Sequence, residues 1–330
     1  MLVVLEELRR LNRLALTRAG FTEDEIKPML DIILYAQLRG NLQSIVQFAG
    51  PGMPKDPQAG DPKVIKETPL SALLDGNRNA GMVVMHRALV LAQEKAAAQG
   101  FGMVGTRNTC QATAAIGYYV RHLAVNGFIG LAFSGSSKKV AHFGSYQPIY
   151  GTNPLALGLP TLEDPIVLDM ATSALPFFKL VAAFMLGQPL PARVAMDAAG
   201  QDTTDPRAAL RGALRSLDRS PKGSGLGLLV EAFTGPLVGA AFANLGDPEH
   251  NWGNLILAID PELMVGREEF QRQMTALREA VKSCSRLPGV QEIFLPGEQS
   301  ERRAAAAMQS GHLEIDDRLF KRFKEKITSP

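Results

Sequence analysis

The sequence is short of several features, and each shortage excludes something. Two cysteines in 330 residues, Cys110 and Cys284, form no CxxC or Cys/His metal-ligand pattern, so no metal site is expected. So few thiols favour a reducing compartment, and the cytoplasm is the expected location. A formal charge of +2 leaves no electrostatic footprint for nucleic acid, and no arginine–aromatic block supplies one. No uninterrupted apolar run approaches the ~20 residues that span a bilayer. Met1-Leu2-Val3-Val4-Leu5-Glu6-Glu7 turns acidic too soon for a signal peptide. A dinucleotide fingerprint is also missing. Gly100-Phe101-Gly102-Met103-Val104-Gly105 follows a helical pattern and lies within a strand, with no GxGxxG opening a helix, which argues against a Rossmann fold.

What is there reads as an ordinary globular chain, 46% apolar and 21% charged. It is long enough for two domains or one large one, and for a core that needs no disulfides or metals. Leu5, Leu8, Leu11, Leu14 and Leu16 fall at helical spacing, with Gly20 as a stop. Thr22 and Glu25 form a capping-box pattern opening a second helix through Leu38, with Pro28 tolerated near its start. Arg39 to Ser44 then collects polar side chains at a helix end, and residues 50–62 read as a loop.

From Gly76 the pattern alternates. A helix over Ala80–Gln99 leads to a short strand at Phe101–Gly105 and a polar turn at Arg107–Ala112. A helix over Thr113–Val125 precedes a strand at Gly127–Phe133 and the loop Ser134–Lys139. Such alternation argues for an α/β or interleaved α+β fold with a mixed sheet. Tyr150 to Ser173 is the stretch with the most chemistry. Two tight turns bracket two apolar runs, and both runs end in small hydroxyl, amide or carboxylate residues. Glycine and proline set the turn geometry, and small residues let backbone approach a phosphate. Lys222-Gly223 precedes a helix over Leu226–Phe233, a pattern suited to an anion. Helices at Phe177–Leu186 and over 267–285, a strand at Leu255–Ile259 and a charged helical end complete the chain.

Several of these stretches together resemble the malate/L-lactate/sulfolactate dehydrogenase family, whose members are NAD(P)-dependent oxidoreductases without a Rossmann fold. The matching pieces are Arg39-Gly40, Gly117-Tyr118-Tyr119, Gly151-Thr152-Asn153-Pro154 and Asp169-Met170-Ala171-Thr172-Ser173. They continue with Asp197…Gly200…Thr203-Thr204-Asp205-Pro206, Lys222-Gly223 and Leu295-Pro296-Gly297-Glu298, in the family's order. The resemblance implies NAD or NADP as cofactor and a homodimer with sites near the interface. It implies a helical, dimerising domain from residues 1–75 and 226–330, and a central cofactor-binding domain over 76–225. It places Thr152, Asn153, Asp169, Thr172, Ser173, Lys222 and Gly223 at the cofactor.

Two departures bear on the chemistry. After Arg-Gly the family usually has His-x-Ser-His-Gly, with the second histidine as acid/base; here Ser44 stands at that histidine's place. Where the family often has His-Phe-Gly before Gly-Tyr-Tyr, this chain has Ala112-Thr113-Ala114. Hydride transfer belongs to the nicotinamide, and the protein must place it and handle one proton. A serine hydroxyl cannot do this unaided. The substitutes are His142, where the family has a proline near the cofactor, Asp197 acting through Ser44 or water, and Lys138 or Lys139. Arg39 and Arg107 are candidates for a substrate carboxylate, whose geometry suits a guanidinium fork. Asn41 and Gln43 either bind substrate or cap a helix. The expected activity is hydride transfer between nicotinamide and a small 2-oxo/2-hydroxy acid, malate- or lactate-like. Reduction of a cyclic ketimine, already positively charged, and a non-catalytic scaffold of the same fold are the alternatives.

Overall fold

The computed structural model describes residues 1–110, 112–243, 245–247 and 250–329. Gln111, in the expected polar turn, lies outside the described residues. The chain opens with β1 (Leu2–Val4), α1 (Leu5–Arg18), α2 (Glu23–Leu38) and α3 (Gln43–Ala49). The hairpin β2 (Lys63–Glu67) and β3 (Ser71–Asp75) follows, then α4 (Gly81–Gln99), β4 (Phe101–Thr109), α5 (Gly117–Val125) and β5 (Ile129–Ser134). Next come β6 (Val140–Ala141), β7 (Pro148–Tyr150), β8 (Leu155–Leu159), β9 (Ile166–Met170) and α6 (Phe177–Leu186). The strands β10 (Ala195–Met196) and β11 (Ala213–Leu214) flank α7 (Pro206–Arg211). The remainder is α8 (Pro221–Thr234), β12 (Trp252–Ile259), α9 (Arg267–Lys282), α10 (Glu298–Ser310), β13 (His312–Glu314) and α11 (Asp317–Thr328).

The expected mixed α/β architecture is present. Its main sheet has seven strands in the order β2-β3-β4-β12-β5-β8-β9, with β3 and β4 parallel and the other neighbours antiparallel. A four-stranded sheet, β10-β11-β6-β7, builds a smaller layer around Tyr150, Leu180 and Leu214. The hairpin β2–β3 carries no signal in the sequence because Lys63–Glu67 is an exposed edge strand with no apolar alternation. The main sheet takes β3 and β12 from either side of the boundaries expected at 75/76 and 225/226, and α8 runs across the second. One continuous core joins the chain ends to this sheet, from Val3 through Leu89 and Val104 to Ile327.

Local sequence accounts for the helix that delivers the polar corner. The Thr22 N–H donates to Glu25 Oε2 at 2.9 Å, one half of the capping box. At the other end Gly40 takes φ +84°, a left-handed stop that a side chain disfavours. The Asn41 carboxamide then accepts the Gln43 N–H at 3.0 Å, turning the chain into α3. The glycines around β4 serve packing. A Cβ at Gly102 would lie 2.1 Å from the Ala92 carbonyl, so α4 rests directly on the strand backbone. Among the described residues, no helix is long and apolar enough to cross a membrane.

Candidate functional site

The end of α2, the edge strand β9, the loop after β5 and the start of α10 converge on a cavity of about 540 Å³. Five of the residues singled out in the sequence line it: Arg39, Asn41, Gln43, Thr152 and Asp169. They come from three separate places in the chain: residues 39–43, the turn at Thr152 and strand β9.

Arg39 lies at the C-terminus of α2 with its guanidinium 3.7 Å above the Tyr35 ring. Its Nη2 donates to both carboxylate oxygens of Glu301, at 2.9 and 2.7 Å, and Nε donates to Oε1 at 3.1 Å. Arg121 Nε donates to the same Glu301 oxygen at 3.0 Å, so one carboxylate from α10 ties two arginines. Nothing in the sequence pointed to Glu301, because its partners lie 262 and 180 residues away.

Asp169 on β9 accepts the Gly117 N–H, at the first residue of α5, at 2.8 Å. A Cβ at Gly117 would meet Asp169 Oδ2 at 3.0 Å, so only glycine lets the helix end approach this closely. Asp169 is open to solvent where it lines the cavity, but protein encloses it elsewhere. That enclosure pushes its carboxyl up to about 6, with the Gly117 N–H opposing the rise.

Lys139, which the sequence offered only as a lesser substitute, also lines the cavity. Its ammonium sits 4.8 Å from the centre of the Phe177 ring. Burial, and then the neighbouring Lys138 charge, hold its pKa below the usual lysine range.

Thr152 reaches the cavity because the turn that follows it is locked from behind. The Thr172 N–H donates to the Thr152 carbonyl at 2.9 Å, and Thr172 Oγ1 donates to the Asn153 carbonyl at 3.0 Å. Asn153 itself is fully buried at φ +38°, and its Nδ2 donates to the Gly227 carbonyl (3.1 Å) and Glu231 Oε2 (2.7 Å). Among the described residues its buried Oδ1 has no partner. Asn153 and Thr172 therefore support the cavity wall from behind. Ser173 Oγ donates to the Leu175 carbonyl at 2.8 Å in the next turn.

The remaining candidates stand elsewhere. Ser44 is buried, and its hydroxyl accepts from Gln37 Nε2 at 2.9 Å within a network that includes Asn12. His142 is exposed, with Nδ1 2.8 Å from the Tyr150 hydroxyl. The Asp197 carboxylate caps its own turn, accepting the N–H groups of Ala199 and Gln201. Arg107 faces Asp75 at 3.9 Å. Lys222 is exposed at the second residue of α8, which starts at Pro221 rather than Leu226. A Cβ at Gly223 would fall 1.8 Å from the Leu217 carbonyl, so tight packing requires that glycine. None of these lines the cavity. The three residues standing where His-Phe-Gly was expected, Ala112, Thr113 and Ala114, do line it, with Ala114 at φ +59°.

The family model for malate/L-lactate dehydrogenase matches residues 3–324. The chain is 34% identical to the L-sulfolactate dehydrogenase of Methanothermobacter thermautotrophicus, covering 96% of this chain and 94% of that one. It is 29% identical to the Delta(1)-pyrroline-2-carboxylate/Delta(1)-piperideine-2-carboxylate reductase of Pseudomonas aeruginosa, over 95% and 98% of the two chains. Among solved structures, the malate dehydrogenase from Entamoeba histolytica superposes with a TM-score of 0.90 at 26% identity, covering 100% of this chain and 99% of that one. The chain belongs to the malate/L-lactate dehydrogenase family and is an NAD(P)-dependent oxidoreductase.

Proposed function

We propose that this enzyme transfers hydride between NADH or NADPH and a small 2-oxo/2-hydroxy acid in the cavity between α2, β9 and α10. The observation that carries this reading is the convergence of Arg39, Asn41, Gln43, Thr152 and Asp169 on one wall system, with Lys139 among them.

The residues present suit a nicotinamide dinucleotide. Helix α10 opens on Gly297 without a capping side chain, and Gly297 and Ser300 line the cavity. This helix start turns its dipole and remaining N–H groups toward a phosphate, with the Glu298 N–H already given to the Leu295 carbonyl and Glu298 and Glu301 in its first turn. The wall at Ala112–Ala115 carries only small side chains, as close approach by a flat ring requires. When bound, the nicotinamide supplies or accepts the hydride.

The chain's own residues hold the substrate and move the proton. Lys139 is placed to hold a carboxylate. Asp169, with its carboxyl near 6, is the group we assign to the proton, since a catalytic acid works best close to the operating pH. Ser44, Asp197 and His142 stand outside the lining in this reading, and Ser44 accepts from Gln37 near the end of α2.

Ketimine reduction is the second reading, and one observation favours it. A protonated cyclic imine with a carboxylate is a zwitterion, and this cavity sets one lysine and one enclosed aspartate in the same lining.

A homodimer fits the exposed surfaces. Helix α9 buries none of its residues, and Leu263, Met264 and Val265 just before it are exposed. The two free cysteines suit a reducing compartment such as the cytoplasm.

Titration with NADH and with NADPH, followed by nicotinamide fluorescence, tests the reading. Saturable binding of at least one is expected; no binding of either at millimolar concentration refutes it.

A further inference from the structure

The described residues lining the cavity include two cations, Arg39 and Lys139, and two carboxylates, Asp169 and Glu301. The two cations are not equivalent. Arg39 is committed, with three hydrogen bonds to Glu301, a fourth from Nη1 to the Tyr35 carbonyl at 3.1 Å, and its face on the Tyr35 ring. Its side chain is only 14% exposed. Among the described residues Lys139 makes no ion pair, and its ammonium lies over the Phe177 ring. Much of the surrounding wall is hydrocarbon, with Phe177, Phe178 and Val181 on one side and Ala112, Ala114 and Ala115 on another.

Resting on the oxidoreductase reading above, we propose that the substrate is a monocarboxylate, held by Lys139, with an apolar or cationic remainder, and that dicarboxylic acids are rejected. A second anionic group entering this cavity finds the Arg39 fork already taken up by Glu301, whose carboxylate also holds Arg121, itself 4.0 Å from Asp164. It also faces Asp169, which carries negative charge near neutral pH. Like charges forced together in a partly desolvated site repel strongly. Glu301 is then a specificity-determining residue: by occupying Arg39 it removes the second cation that a dicarboxylate needs.

Steady-state kinetics on the full-length enzyme test this with an isosteric pair. Oxaloacetate and 4-methyl-2-oxopentanoate share the oxo-acid head and the adjoining methylene. They differ only where a planar carboxylate replaces an isopropyl group of similar shape. Δ1-piperideine-2-carboxylate serves as the zwitterionic probe. The expected result is a kcat/KM for 4-methyl-2-oxopentanoate or the cyclic imine at least about tenfold above that for oxaloacetate. Glu301→Gln should close that gap by about tenfold by releasing Arg39, while Glu301→Asp, which keeps the charge, should preserve it. Independently, Lys139→Gln should raise KM for 4-methyl-2-oxopentanoate about tenfold.

Oxaloacetate turned over as well as or better than both monocarboxylates overturns the inference and leaves the oxidoreductase reading standing. A ratio unmoved by Glu301→Gln, or a KM unmoved by Lys139→Gln, overturns the role given to that residue. Failure to bind either nicotinamide nucleotide overturns the oxidoreductase reading and this inference with it, and the fluorescence titration separates that outcome from the others.

Discussion

Replacing Asn153 by alanine removes the tie that holds the Thr152 turn against α8. In the native protein Asn153 Nδ2 donates to Glu231 Oε2 at 2.7 Å, and the Ala243 N–H donates to the other oxygen at 2.8 Å. Glu231 is 8% exposed, and burial already raises its carboxyl above the usual glutamate range. Losing a hydrogen bond to a buried charged group costs about 1.5–3 kcal/mol. Position 153 sits at φ +38°, and alanine tolerates the left-handed region less well than asparagine, which adds about 1 kcal/mol. The expected loss is therefore about 3 kcal/mol, read as a lower urea midpoint with an unchanged m-value.

The deletion also pushes the Glu231 carboxyl further up, so the deficit should shrink as the pH is lowered and the group takes a proton. A double-mutant cycle with Glu231→Ala, which removes the acceptor, isolates the contact, with an expected coupling of about 1.5 kcal/mol. Because Thr152 lines the cavity, affinity for the nicotinamide nucleotide should fall in the same variant. A stability loss below about 1 kcal/mol, or no coupling to Glu231, would refute the claim that this contact holds the turn.

Two further outcomes follow from the cavity wall. Ala114 sits at φ +59° where glycine is the natural occupant, so Ala114→Gly should stabilise the protein by about 0.5 kcal/mol in urea unfolding, after the extra entropy of the unfolded glycine is counted. A loss of stability would show that the alanine methyl group matters more than the backbone strain. Asp169 has its carboxyl raised from 3.8 to about 6, so the folded state binds a proton that the unfolded chain releases between those values. Its contribution to stability is therefore greatest at low pH and falls as pH rises through that window, and Asp169→Asn should flatten the slope. With an oxo acid, kcat/KM should fall as pH rises through about 6 as the acid is lost. With a cyclic imine it should rise there as the carboxylate appears. The same break persisting in Asp169→Asn would assign the proton elsewhere.

Much of the frame was legible from local chemistry. Alternating periodicities announced a mixed α/β chain, the capping pattern at Thr22 and Glu25 located α2, and turn residues at Gly151–Pro154 marked the tie between β7 and β8. These signals are legible because capping, turn geometry and amphipathic period act over a few neighbouring residues. The same locality explains the failures. The sequence showed neither that Lys63–Glu67 pairs at a sheet edge nor that α8 begins at Pro221.

At the site, residue types identified the polar stretches but not which of them meet. Ser44 and Gln43 are adjacent in sequence, yet Gln43 faces the cavity while Ser44 turns inward to Gln37. Asp169 was marked by its motif, but its raised carboxyl comes from enclosure by protein, against the opposing N–H of Gly117, 52 residues away. Arg39 read as a free guanidinium until the fold brought Glu301 against it from the far end of the chain. By itself the sequence determined the local elements, the family and the residue types available for catalysis. Only the tertiary structure decided which charges are already spent on one another and which remain for a ligand, because solvation and pairing depend on distances in space that sequence order does not set.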